Sequence, residues 1–315
     1  MYKQLIFCIM GKEVLRMEEK KKTYALLGLT TIIWGIQPLC AKVLLLEWSP
    51  VTITYTRYFF VSSILLMLLY LRQDRGLLPP RSTWLSLVGM GVTGILGNNV
   101  AQFTGLQYST VTNCTLISAM SPAITALFAA LFIKERLSLL SWLGILLSLS
   151  GALLVISHGR LSAMMQMSFN YGDLLFVFCQ VCWTTYSLIG LKVMRKISAM
   201  AATAWAGILG AVLTLAFGLA TEPAGVVALS LLSLTAFIYM VVFGGVLAML
   251  FWNIGIKNAG PSMTAIFQNI TPVVGMLGGA LLFEEVVGMV ELVGALTIFA
   301  GVYLTTHSSR LAEAK

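Results

Sequence analysis

Ser118-Ala119-Met120-Ser121-Pro122, followed by Glu135, Gly144 and Gly151, is answered 150 residues later by Gln268-Asn269-Ile270-Thr271-Pro272, Glu285, Gly294 and Gly301. The same offset aligns Gly94 with Gly244, Gly105 with Gly255, and Lys42-Val43 with Lys192-Val193. Residues that impose special backbone or close packing dominate these coincidences, which marks a duplicated structural unit. In a very apolar chain, such a duplication is the pattern of a two-repeat membrane carrier.

The apolarity is clear. Of 315 residues, 58% are apolar and 10% charged, and the mean hydropathy is +0.91. A soluble protein is about one quarter charged, so this chain cannot coat a globule of its size, and most of its surface must face lipid. A spanning helix needs about 20 largely apolar residues. Ten segments qualify: 23–45, 50–71, 82–107, 109–133, 138–158, 171–193, 199–219, 233–256, 261–283 and 287–306. They divide into repeats at 23–158 and 171–306, joined by an extracytoplasmic linker at 159–170 and followed by a cytoplasmic tail at 307–315. Residues 1–22 are read as a cytoplasmic lead, with Met17 as an alternative start: the run Leu5–Gly11 is too short to span and lacks a cleavage site.

With the N-terminus inside, 17 of the 20 Lys and Arg residues fall on the inner side, and only Arg160 falls in an outer connection. This positive-inside bias accounts for the net charge of +8 without nucleic acid and puts both termini in the cytoplasm. Five helices per half is an odd number, so the second half enters from the opposite side. The expected fold is therefore an all-α integral membrane protein of ten helices in two inverted repeats, an arrangement with two near-equivalent packings around a midplane site.

Prolines, glycines and buried polar groups mark the candidate pathway. Pro38, Pro122 and Pro272 lie within helices 1, 4 and 9, where each frees a backbone carbonyl four residues earlier and supplies a candidate hinge. Gly144/Gly151 and Gly294/Gly301 are seven apart, hence on one helix face, and suit close helix packing. Arg57, about two turns into helix 2, must face protein or water, and is a candidate for an anionic solute group or a structural ion pair. Lys42 can snorkel outward. Glu291 is the one carboxylate read as clearly within a span and the candidate coupling site; Glu135 and Glu285 are read as helix-end groups bonding loop amides. The candidate cavity wall collects Trp34 and Gln37, then Asn98, Asn99 and Gln102, then Asn113, and Gln180, Trp183 and Tyr186. Trp252, Asn253, Gln268 and Asn269 complete it. Amides buried in a bundle need interhelical partners or a wet cavity, and a set spread over six helices favours a central cavity. Cys179-x-x-Cys182 is read as packing, because no second such pair and no nearby His accompanies it. No metal or cofactor is expected.

The residues Trp34-Gly35, Arg57-Tyr58, and the block Pro122…Lys134-Glu135-Arg136-Leu137…Gly144…Gly151 with its echo Pro272…Glu284-Glu285…Gly294…Gly301 resemble the EamA-domain carriers of the drug/metabolite transporter superfamily. The resemblance covers about residues 23–306. It implies a ten-helix inverted-repeat fold in the cytoplasmic membrane and movement of small metabolites or drugs, often export. It names no solute. The second half departs from the pattern, since Trp183 is followed by Thr184 rather than Gly. A membrane enzyme would need a catalytic constellation at depth. His158 and His307 lie at helix ends, and no GxSxG or intramembrane Asp pair is present, so no enzyme is expected. The alternative is a non-transporting sensor or assembly protein, and a homodimer is left open.

Overall fold

Hydroxyl and amide side chains start most of the helices. Ser49, Thr110, Ser138, Asn170, Ser198 and Ser230 each accept a backbone N–H two or three residues ahead, at 2.7–3.2 Å. This satisfies amides that a helix start leaves unpaired. The computed structural model describes residues 2–73, 77–133, 138–159, 169–221 and 230–313. Glu135, Arg160, most of the 159–170 linker and the Glu222-Pro223 break lie outside them.

Among the described residues, consecutive helical segments join into rods. In chain order these are α1 (Tyr2–Leu44), α2 (Pro50–Leu71) and α3, which passes from Trp84–Met90 through π-helical turns at Gly91–Gly97 into Asn98–Tyr108. Next come α4 (Val111–Ser118, Ser121–Phe128 and Ala129–Ile133), α5 (Leu139–Ile156), α6 (Tyr171–Val193) and α7 (Ala199–Thr221). Then α8 runs from Leu231–Tyr239 through π-helical Met240–Leu247 into Ala248–Ala259, and α9 joins Pro261–Ile266, a 3₁₀ turn at Phe267–Ile270 and Thr271–Phe283. The last, α10, is Met289–Glu313.

Seven stretches among the described residues are long and apolar enough to cross a membrane: Lys21–Leu44, Pro50–Leu71, Val111–Phe132, Tyr171–Val193, Ala199–Thr221, Leu231–Ala259 and Met263–Phe283. The other three expected spans fall outside this set for physical reasons. The apolar parts of α5 and α10 are shorter, at Leu139–Val155 and Met289–Thr305, and Asn98, Asn99 and Gln102 lower the hydropathy of α3. Large apolar side chains face outward around the bundle, among them Leu85, Phe132, Leu231 and Leu281, each more than two thirds exposed.

The contacts between rods exchange under a shift of five. α1 packs on α8 as α6 packs on α3, and α2 packs on the π turns of α8 as α7 packs on those of α3. α1 also packs on α9 as α6 packs on α4, and three further interfaces, α2 with α7, α4 with α9 and α5 with α10, join equivalent rods. In the last, a Cβ on Gly301 would come 2.5 Å from the Gly144 carbonyl oxygen, and one on Gly151 would come 2.9 Å from that of Gly294. Gly144 thus faces Gly301 and Gly151 faces Gly294, so α5 and α10, which carry the same motif, run antiparallel at backbone contact.

Pro122 and Pro272 do not kink continuous helices. α4 stops after Ser118, turns through Ala119 and Met120, and restarts at Ser121; α9 passes through its 3₁₀ turn and restarts at Thr271. Each proline is the second residue of a new segment, where a missing N–H costs no helical bond. Pro38 alone of the three sits inside an unbroken helix.

Candidate functional site

The two breaks meet. The Gln268 amide, oriented with its nitrogen toward α4, donates to the Ser121 hydroxyl at 3.0 Å and to the Ser118 carbonyl at 3.2 Å, while its oxygen accepts from Trp183 Nε1 at 3.1 Å. Ser118 and Gln268 are repeat equivalents, so the carbonyl freed by one break is answered by a side chain from the other. The π-helical turns behave alike. Each widened turn shifts the backbone bonding from the i→i+4 pattern, and side chains reach its carbonyls. Asn99 Nδ2 donates to Gly94 and Ile95 oxygens at 2.9 and 3.1 Å, and Trp34 Nε1 donates to the Gly244 oxygen at 3.1 Å. Gly94 and Gly244 are also equivalents. Gly94 needs a bare Cα, since a Cβ would meet the Tyr186 ring, whereas at Gly244 it would meet only the movable end of Gln37.

Beside these breaks lies a cavity of about 630 Å³, its mouth included. Trp34, Gln37, Pro38, Arg57, Asn98, Asn99, Gln102, Gln180, Trp183 and Gln268 line it, drawn from α1, α2, α3, α6 and α9. Tyr58, Cys114, Thr115, Ser118, Met249 and Thr271 complete the wall; of these, Tyr58 beside Arg57, and Ser118 and Thr271 in the duplicated block, carried a sequence signal. Arg57 is 1% exposed. Its Nη2 donates to Asn99 Oδ1 at 2.9 Å, and its guanidinium lies 4.6 Å from the Tyr58 ring centre. The π turn therefore holds Asn99, and Asn99 holds Arg57.

Other candidates go elsewhere. Asn253 is fully buried and donates to the Tyr186 hydroxyl at 2.7 Å and the Thr203 hydroxyl at 2.6 Å. Trp252 is buried against Trp34 and Trp183, with ring centres 5.1 and 5.5 Å apart. Tyr186, Trp252 and Asn253 therefore pack behind the cavity wall. Asn269 follows Gln268 but does not line the cavity. Asn113 donates to both oxygens of Asp173 at 3.2 Å. Asp173 was missed as an embedded carboxylate. It is fully buried and also accepts from Ser109, and its place one turn past the Asn170 cap was the available signal. Glu291 sits in the first turn of α10 and accepts the Gly288 N–H at 2.9 Å, closing its own helix start.

Glu285, between α9 and α10, accepts from Val111 N and Thr112 N at 2.9 Å, from the Thr112 hydroxyl at 2.8 Å and from Lys42 Nζ at 2.8 Å. Lys42 is thus in an ion pair rather than free at the surface. Burial pushes the Glu285 carboxyl up, but these four donors outweigh it and hold it below the usual range. The result is a clasp joining α1, the start of α4 and the α9–α10 connection.

The model of the EamA-like transporter family matches residues 21–157 and 170–307. The chain belongs to the EamA-like transporter family. It is 29% identical to the uncharacterized transporter YyaM of Bacillus subtilis over 84% of this chain and 87% of that one. It is 27% identical to an uncharacterized transporter of Archaeoglobus fulgidus, covering 90% and 97%. It is also 27% identical to the uncharacterized inner membrane transporter YedA of Escherichia coli, covering 90% of each. A protein of known crystal structure shares the fold at a TM-score of 0.68 and 20% identity, over 91% of this chain and 98% of that one. This EamA-like chain is a multi-pass membrane protein and a membrane transporter.

Proposed function

We propose that this EamA-like chain is a secondary carrier that exports small organic metabolites or drugs across the cytoplasmic membrane by alternating access. Ten transmembrane helices in two inverted repeats form it, with both termini in the cytoplasm. The observation that carries this reading is the exchange symmetry around the cavity. Matching halves trade contacts crosswise, and the equivalent rods α5 and α10 run antiparallel at Gly144–Gly301 and Gly151–Gly294. An operator that reverses equivalent helices supports an inversion axis in the membrane plane. Such an axis relates two packings of similar energy, one open to each side. The orientation follows the positive-inside bias, and the outward direction follows the family resemblance.

The test is untargeted metabolite profiling of medium and cytosol from cells overproducing the protein, against an empty vector. A few compounds should accumulate outside and fall inside. Compounds enriched inside instead would reverse the direction. An unchanged profile with the protein verified in the membrane would count against transport.

A further inference from the structure

We infer that Arg57 is the anion-binding side chain of the cavity and that the solutes are small organic acids held by their carboxylate. The inference rests on the reading of that cavity as the solute site. A guanidinium offers five donors. Only Nη2 is engaged, and by a neutral amide; Nε and Nη1 are buried with no partner. The remaining contacts are the faces of Tyr58 and Phe103, 4.6 and 5.6 Å away. A buried charge without a counter-charge is expensive.

Nothing among the described residues supplies that counter-charge. The cavity wall contains no carboxylate. Asp173 is held by Ser109 and Asn113, Glu285 by Lys42 and the α4 amides, Glu291 by Gly288 and Glu47 by Ser230. Glu284 is exposed in the connection after α9. Asn99 occupies one hydrogen of Nη2, so a fork shared with Nε or Nη1 remains for a two-oxygen acceptor. The rest of the wall defines the body of the solute. Trp34 and Trp183 spend their N–H groups on Gly244 and Gln268, which leaves ring carbon to the cavity. Gln37, Asn98, Gln102 and Gln180 add neutral amides. A carboxylate on a compact, partly apolar body meets all of these.

The experiment uses the purified full chain in detergent, read by thermal unfolding, with lactate, phenylacetate and 4-hydroxybenzoate each paired with its amide, and with inorganic phosphate. At least one acid should stabilise the protein while its amide and phosphate do not. Arg57→Gln should weaken that acid about 10- to 100-fold, the worth of lost charge-assisted bonds. Arg57→Lys keeps the buried charge but loses the two-point fork, so it should weaken that acid by a smaller factor, which covers the case where Arg57→Gln fails to fold. Amides binding as well as acids, no acid binding, or acid binding undiminished in the Arg57 variants would overturn the inference. Phosphate matching the best acid would overturn the organic-acid assignment. Uptake of the same compounds into proteoliposomes separates the two readings. Arg57-dependent binding without uptake sinks transport but not the anion site, and uptake of amides without acid binding sinks the anion site but not transport.

Discussion

Gly301→Ala and Gly144→Ala should each destabilise the protein by about 3 kcal/mol, at the upper end of overpacking costs, whereas Gly28→Ala should be neutral or slightly stabilising. A Cβ on Gly301 would meet the Ser148 amide nitrogen and come 2.5 Å from the Gly144 oxygen. On Gly144 it would come 2.6 Å from the Gly301 oxygen. These are backbone atoms, which cannot rotate away, so α5 and α10 would have to part along their whole contact. Nothing lies within 4 Å of a Cβ on Gly28, and elsewhere in a helix Gly→Ala gains about 0.5–1 kcal/mol. Thermal unfolding of the three variants in one detergent checks both signs. Equal stability of Gly301→Ala and Gly28→Ala would contradict the packing.

Glu285→Gln should cost about 2–3 kcal/mol, since it weakens bonds from Lys42, two α4 amides and the Thr112 hydroxyl, each worth more to a charged acceptor. The pH dependence follows from the lowered carboxyl. Its contribution is full above the ordinary carboxylate range and is lost as pH falls through the still lower folded value. Wild type should therefore lose stability on acidification in that window, and Glu285→Gln should show a shallower slope there. Parallel slopes would mean that the clasp contributes nothing to the fold.

The duplication was legible because it is carried by prolines and glycines, whose backbone demands survive when apolar side chains drift. That Gly144 and Gly151 pack a helix could be read from their spacing, but not that Gly301 and Gly294 receive them. The π turns at Gly91–Gly97 and Met240–Leu247 left no mark in hydropathy, because a widened turn changes which backbone groups pair rather than which side chains are apolar. Their satisfaction by Asn99 and Trp34 is a long-range matter that no local pattern encodes. The destinations of Asn253 and Tyr186 were equally hidden. An amide on a helix face looks the same whether it meets a cavity or, as here, a tyrosine and a threonine on neighbouring rods. Asp173 went unread because one turn into a helix looks like an interface position until Ser109 and Asn113 close over it.

Alternating access is the central claim, and accessibility of the cavity from the two membrane faces tests it most directly. In a chain with its five cysteines replaced, Gln102→Cys would place one thiol on the cavity wall. A membrane-impermeant maleimide applied to right-side-out and to inside-out vesicles should modify that thiol from both faces. Modification from one face only, or from neither, would contradict the account.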